Sequence, residues 1–187
     1  MRVTTIFSLL TVMLLAACST IAGGGALDDR PNAGPCPTVG ALYDAGRIVK
    51  FEGDSEQYSD IAYTGEIIGV RLFCRYVDAQ PLLAEVEIGF AFGQGPKGLA
   101  DRHDYEYFVA VTRRNRTVLA REDFIVSADF RKGSVDSAAE IISSIRIPRL
   151  DQTISGGNFE ILVGFDLTDE QLKFNQDGKR FRLDAGQ

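Results

Sequence analysis

From residue 45 onward the chain alternates apolar and polar side chains in short runs separated by turn residues. The clearest run is LLAEVEIGFAF (82–92), which follows Pro81. Leu82, Ala84, Val86, Ile88, Phe90 and Phe92 fall on one face at period two, with Glu85 and Glu87 on the other. IAYTGEIIGVRLFCRYV (61–77) is long and rich in β-branched and aromatic residues, and its Gly65 and Gly69 predict a bulge or bend. GRIVKF (46–51) is a shorter candidate. YEYFVAVT (105–112) and TVLAREDFIVSADF (117–130) are joined by RRNR (113–116) and read as a hairpin. AEIISSIRIP (139–148) ends at Pro148, and NFEILVGFDL (158–167) alternates again.

Seven such runs, and no long helical pattern between them, predict an all-β fold: an antiparallel β-sandwich of immunoglobulin or fibronectin type. A closed barrel is the alternative for the same strands. One short helix is signposted near the C-terminus. Thr168 and Gln171 match a capping box, Leu167 and Leu172 hold the two staple positions, and Gly178 predicts a stop soon after Asn175. KRFRLDAGQ at the end of the chain is expected to bury little and to fray.

The N-terminus has a different pattern. Arg2 precedes an uncharged, largely apolar run from Val3 to Ala17. At about 15 residues it falls short of the roughly 20 that span a bilayer as a helix, and it reads as a secretory signal. Leu15-Ala16-Ala17-Cys18 resembles the lipobox of bacterial lipoproteins. That resemblance implies cleavage before Cys18, diacylglycerol on its thiol and often a further acyl chain on the new amino terminus. Ser19 is not the Asp associated with inner-membrane retention, so the same resemblance implies the periplasmic face of the outer membrane. STIAGGGALDDRPNAGP then has little to bury and serves as a tether, holding a domain about 20–25 Å from the lipid on average. The expected organisation is a signal peptide over 1–17, a tether over 18–35, a sandwich domain over 36–176 and a tail over 177–187.

Without residues 1–17 the chain of 187 residues becomes 170, a length suited to one domain. Arg2 leaves with the signal, so 19 basic and 26 acidic residues give a formal charge of −7. An acidic protein of this kind is a poor candidate for nucleic-acid or anionic-lipid binding, since phosphate contacts rest on Lys and Arg. RRNR reads as a solvated turn. Cys36 and Cys74 are left as an even pair in an oxidising compartment and read as a disulfide. A metal site would want further ligands, and a nucleophilic cysteine would want a base, for which His103 is the single histidine.

Other motifs carry little chemistry. Gly93-Gln94-Gly95-Pro96-Lys97-Gly98 matches GxGxxG but follows a half-exposed strand and contains Pro96, so it reads as a loop rather than a dinucleotide site. Asp101, His103 and Asp104 sit close together in an expected exposed loop, without a fourth metal ligand. No GxSxG elbow occurs. Glu85 and Glu87 share an outward strand face, where they stay solvated. Asn115-Arg116-Thr117 fits a glycosylation sequon, which has no meaning in most bacteria. No catalytic, cofactor-binding or metal residue is assigned, and the expectation is a non-enzyme.

CPTVGALYDAGRIVKF (36–51), GVRLFCRY (69–76) and NFEILVGFDLTDEQLKFN (158–175) are similar to segments of a family of uncharacterised alphaproteobacterial lipoproteins. The resemblance brackets nearly the whole domain and implies no particular activity. The expected function is a membrane-tethered envelope module that binds a protein or glycan. The alternative is a small-molecule or lipid carrier with a pocket between its sheets. An envelope hydrolase built on His103 and two carboxylates is a third reading.

Overall fold

The structure is a computed structural model that describes residues 34–181 apart from 54, 78–80 and 152. Cys18, the signal and most of the tether lie outside the described residues. Eight strands and one helix are formed: β1 Thr38–Ala41, β2 Arg47–Phe51, β3 Ile61–Tyr76, β4 Leu82–Gln94, β5 Arg102–Arg113, β6 Val118–Asp129, β7 Val135–Ile147, β8 Phe159–Phe165 and α1 Asp169–Gln176. They build two four-stranded sheets, ordered β1-β8-β5-β6 and β2-β3-β4-β7. Every pairing is antiparallel except β1 with β8. β2-β3-β4 and β5-β6 run on within one sheet, while the chain changes layer between β1 and β2, β4 and β5, β6 and β7, and β7 and β8, so that β4 pairs with β7 and β5 with β8. Two separate sheets exclude the closed barrel.

Alternation explains which faces meet. Phe90 and Phe92 of β4 are fully buried against Tyr105 and Tyr107 of β5 and Phe165 of β8. The rings interdigitate, with centroids 4.5 Å apart for Phe92–Tyr105 and 5.0 Å for Phe90–Tyr107. Each such side chain contributes about 2–3 kcal/mol by leaving water. Tyr105 Oη crosses the layer gap to donate to the Thr64 carbonyl at 3.0 Å, which satisfies a buried hydroxyl and fixes the sheets' relative position. Gly65 is needed at this crossing, since a Cβ there would meet Ile48 at 3.0 Å and Phe165 at 3.1 Å. The expected bulge lies four residues on, where the β3–β4 register shifts between Ile67 and Gly69.

Strand limits differ from the sequence pattern at the ends. β5 begins at Arg102 and β7 at Val135, earlier than alternation shows, because their first residues lie at a rim where one face meets solvent. β1 has no counterpart among the seven expected runs. Its four residues, TVGA, are too few for a period-two signal, and pairing with β8 makes it a strand.

The helix follows its sequence signals. Thr168 Oγ1 accepts from the Gln171 N–H and Gln171 Oε1 from the Thr168 N–H, completing the capping box. Gly178, at φ 74°, takes the left-handed position after the helix. α1 buries Phe174 against Phe51 on the outer side of β2, and Asn175 donates to the carbonyls of Asp44 and Arg47 at 2.7 and 2.8 Å. Phe181 stacks at 6.1 Å on Phe174 and edge-on to Phe51 at 6.0 Å, so the start of the C-terminal tail packs where fraying was expected.

Candidate functional site

The two ends of the sandwich differ in chemistry. At the end where the chain enters the domain, Cys36 and Cys74 are joined in a disulfide with their Cα atoms 5.8 Å apart. Cys74 lies near the end of β3, so the bridge fastens the entering chain to a central strand of its sheet. Tyr76, two residues further along the same strand face, donates to the Pro35 carbonyl and accepts from the Gly156 N–H, both at 2.8 Å. Gly156 has to be glycine, because a Cβ would lie 2.6 Å from the Pro35 oxygen. Arg149 is 2 % exposed, with its guanidinium 4.8 Å over the Tyr76 ring and Nη1 donating to the Ile154 carbonyl at 3.2 Å. Nothing in the local sequence marks Arg149 as buried beyond its place after Pro148. Tyr76 was not singled out in the sequence, although its alternation with Leu72 and Cys74 is the signal that could have placed it on the inner face.

At the opposite end, His103 stands on β5 rather than in a loop. Its ring stacks on Tyr63 with centroids 3.9 Å apart and planes at 2°, and meets Tyr105 edge-on at 4.7 Å. Burial lowers the imidazole pKa from its ordinary value, nearby Lys50 lowers it further, and Asp104 and Glu52 act in the opposite direction. An open depression of about 460 Å³ is lined by Arg102, His103, Asp104 and Ser127. Asp104 is the cross-strand partner of Ser127 and accepts from its hydroxyl at 2.5 Å. A histidine base needs a carboxylate or carbonyl that orients its ring. Among the described residues, no hydrogen bond engages the His103 ring, which is held by ring contacts instead. Nor do three of His, Cys, Asp and Glu converge as metal ligands among the described residues.

The remaining sequence candidates have structural roles. Gly95 and Gly98 let their loop lie against β3, where the Gly95 N–H donates to the Ala62 carbonyl and the Lys97 N–H to that of Ile61. A Cβ on Gly95 would stand 2.3 Å from the Ile61 oxygen. Glu87 pairs with Arg71 at 2.6 Å on the outer sheet face, and Glu85 is exposed. RRNR is the tight β5–β6 turn. Comparison of the chain with protein-family models, curated proteins and solved structures finds no match.

Proposed function

We propose that the chain is a lipid-tethered envelope module without catalytic activity, held through Cys18 at the periplasmic face of the outer membrane and binding an envelope protein or glycan. The observation that carries this is how the chain enters the domain. The described chain starts at Gly34, 16 residues after Cys18, and within three residues it is fixed to β3 by the Cys36–Cys74 bridge and the Tyr76–Pro35 hydrogen bond. A load applied through the N-terminal segment therefore passes covalently into the middle of a sheet and cannot peel β1 away first.

The interior supports a binding module over a carrier. Phe90, Phe92, Tyr105, Tyr107 and Phe165 occupy the space between the sheets that a carrier would need for its ligand.

Crosslinking in intact envelopes followed by pull-down tests the binding role. A defined protein or glycan partner, recovered with the wild-type chain and reduced with Cys18→Ser, is the expected result. A chain recovered alone from intact envelopes would count against it.

A further inference from the structure

Among the described residues the cations include those that close ion pairs, four exposed ones at the far end that close none (Lys50, Lys97, Arg102 and Lys132), standing among its acids, and a group of exposed arginines that close none. Arg47, Arg71, Arg121, Arg131, Lys173 and Lys179 each close an ion pair. Arg75, Arg113, Arg114, Arg116 and Arg146 are all exposed, and among the described residues none of them enters an ion pair.

All five stand at the end where the chain enters. Arg75 and Arg146 flank Leu83 across three adjacent strands, one position from the row formed by Tyr76, Leu82 and Ile147. The other three lie in the β5–β6 turn, where the Arg114 N–H donates to the Asn158 carbonyl. Asn158 closes the short turn that begins at Gly156, whose N–H reaches Tyr76 and through it Pro35. Arg116 sits at φ 67°, a left-handed position that glycine adopts without strain, so the turn carries its third cation against backbone preference.

The described acids at this end are Asp151, Glu160 and Glu85, the exposed cross-strand partner of Phe73. Asp151 is engaged by the Thr153 N–H and hydroxyl in its own loop. Asp78 lies outside the described residues. Acids gather at the far end instead, where Glu52, Asp60, Asp101, Asp104, Asp129 and Asp136 cluster. A chain with a net charge of −6 is thus segregated along its long axis, and the net value hides a basic pole.

We propose that this pole docks on an anionic lipid surface, with the guanidinium forks meeting headgroup phosphates. Arginine suits the task because its planar donors match phosphate oxygens. Phe73, 60 % exposed, and Leu150, 85 % exposed, add apolar side chains to the same end. Screening confines the attraction to about 8–10 Å, so the pole acts once the domain is held close to the bilayer. That last condition rests on the tether proposed above, whereas the charge segregation stands without it.

Flotation of the unacylated full chain carrying Cys18→Ser with vesicles tests the pole without an anchor. Vesicles of phosphatidylcholine with phosphatidylglycerol are compared with phosphatidylcholine alone, at low and high salt. One variant carries Arg75→Gln, Arg113→Gln, Arg114→Gln and Arg146→Gln. A matched control carries Lys50→Gln, Lys97→Gln, Arg102→Gln and Lys132→Gln, an equal charge change at the far end. The expected result is a loss of about tenfold or more in partitioning onto anionic vesicles for the first set only, abolished by high salt and absent on neutral vesicles. If the four-fold variant fails to fold, the Arg114→Gln, Arg146→Gln pair gives the same comparison. Equal partitioning of the two sets would overturn the proposal. So would a difference that appears on heparin but not on anionic vesicles, which would assign the pole to a polyanionic chain. A chain lacking the acyl group in its native envelope would refute the anchor and leave the vesicle result unaffected.

Discussion

The Tyr76 hydroxyl donates to the Pro35 carbonyl at 2.8 Å and, by accepting from Gly156, joins the entering chain to the turn before β8. One phenol oxygen thus ties three segments that are far apart in sequence. Tyr76→Phe removes both hydrogen bonds while keeping the ring under Arg149. It is expected to lower stability by about 1–2 kcal/mol, seen as a melting temperature reduced by about 2–6 °C. An unchanged melting temperature would show that water replaces the hydroxyl.

The disulfide beside it should act through the unfolded chain. It closes a loop of sequence separation 38, worth about 4 kcal/mol in the chain-entropy model. Cys36→Ser with Cys74→Ser should therefore lower the urea midpoint strongly. Reductant should shift the wild-type midpoint toward that of the double variant and leave the variant's own midpoint unmoved.

His103 makes stability depend on pH. Burial first, and Lys50 second, depress its folded pKa below the unfolded value near 6.5. The unfolded chain then binds the extra proton first as pH falls. Stability contributed by the neutral imidazole is present above the unfolded pKa and is lost as pH falls through 6.5 toward the folded value. Melting measured from pH 7.5 to 5 should decline, and His103→Phe, which preserves the stack on Tyr63, should decline less. Parallel profiles would remove His103 from the account.

Core and surface aromatics should separate cleanly. Phe90→Ala empties a fully buried site between the sheets and is expected to cost about 3–5 kcal/mol by chemical unfolding. Phe73→Ala, at 60 % exposure on the outer sheet face, should change stability by less than about 0.5 kcal/mol.

Alternation made β4 legible because its inner face is buried almost from end to end. The capping box was equally plain, since its signal is local: Thr168 and Gln171 act within the first turn of α1, and Gly178 acts just past its last. β1 was not legible, because four residues hold no period and the strand exists through its partner β8. The start of β7 was hidden for another reason. The residues of 135–138, on an edge strand, are each half-buried or exposed, so the apolar contrast there is weak. The basic pole was invisible as a pole. RRNR reads as a turn wherever it occurs, and only the topology brings Arg75 and Arg146, on β3 and β7, to the same end.

The central claim is that Cys18 carries the lipid that holds this domain at a membrane. The intact mass of the chain extracted from its native envelope tests it most directly. The expected result is a polypeptide beginning at Cys18, with the added mass of a diacylglyceryl group and any further acyl chain, converted by Cys18→Ser to a chain without that mass. A mature chain that starts elsewhere, or starts at Cys18 without lipid, would contradict it.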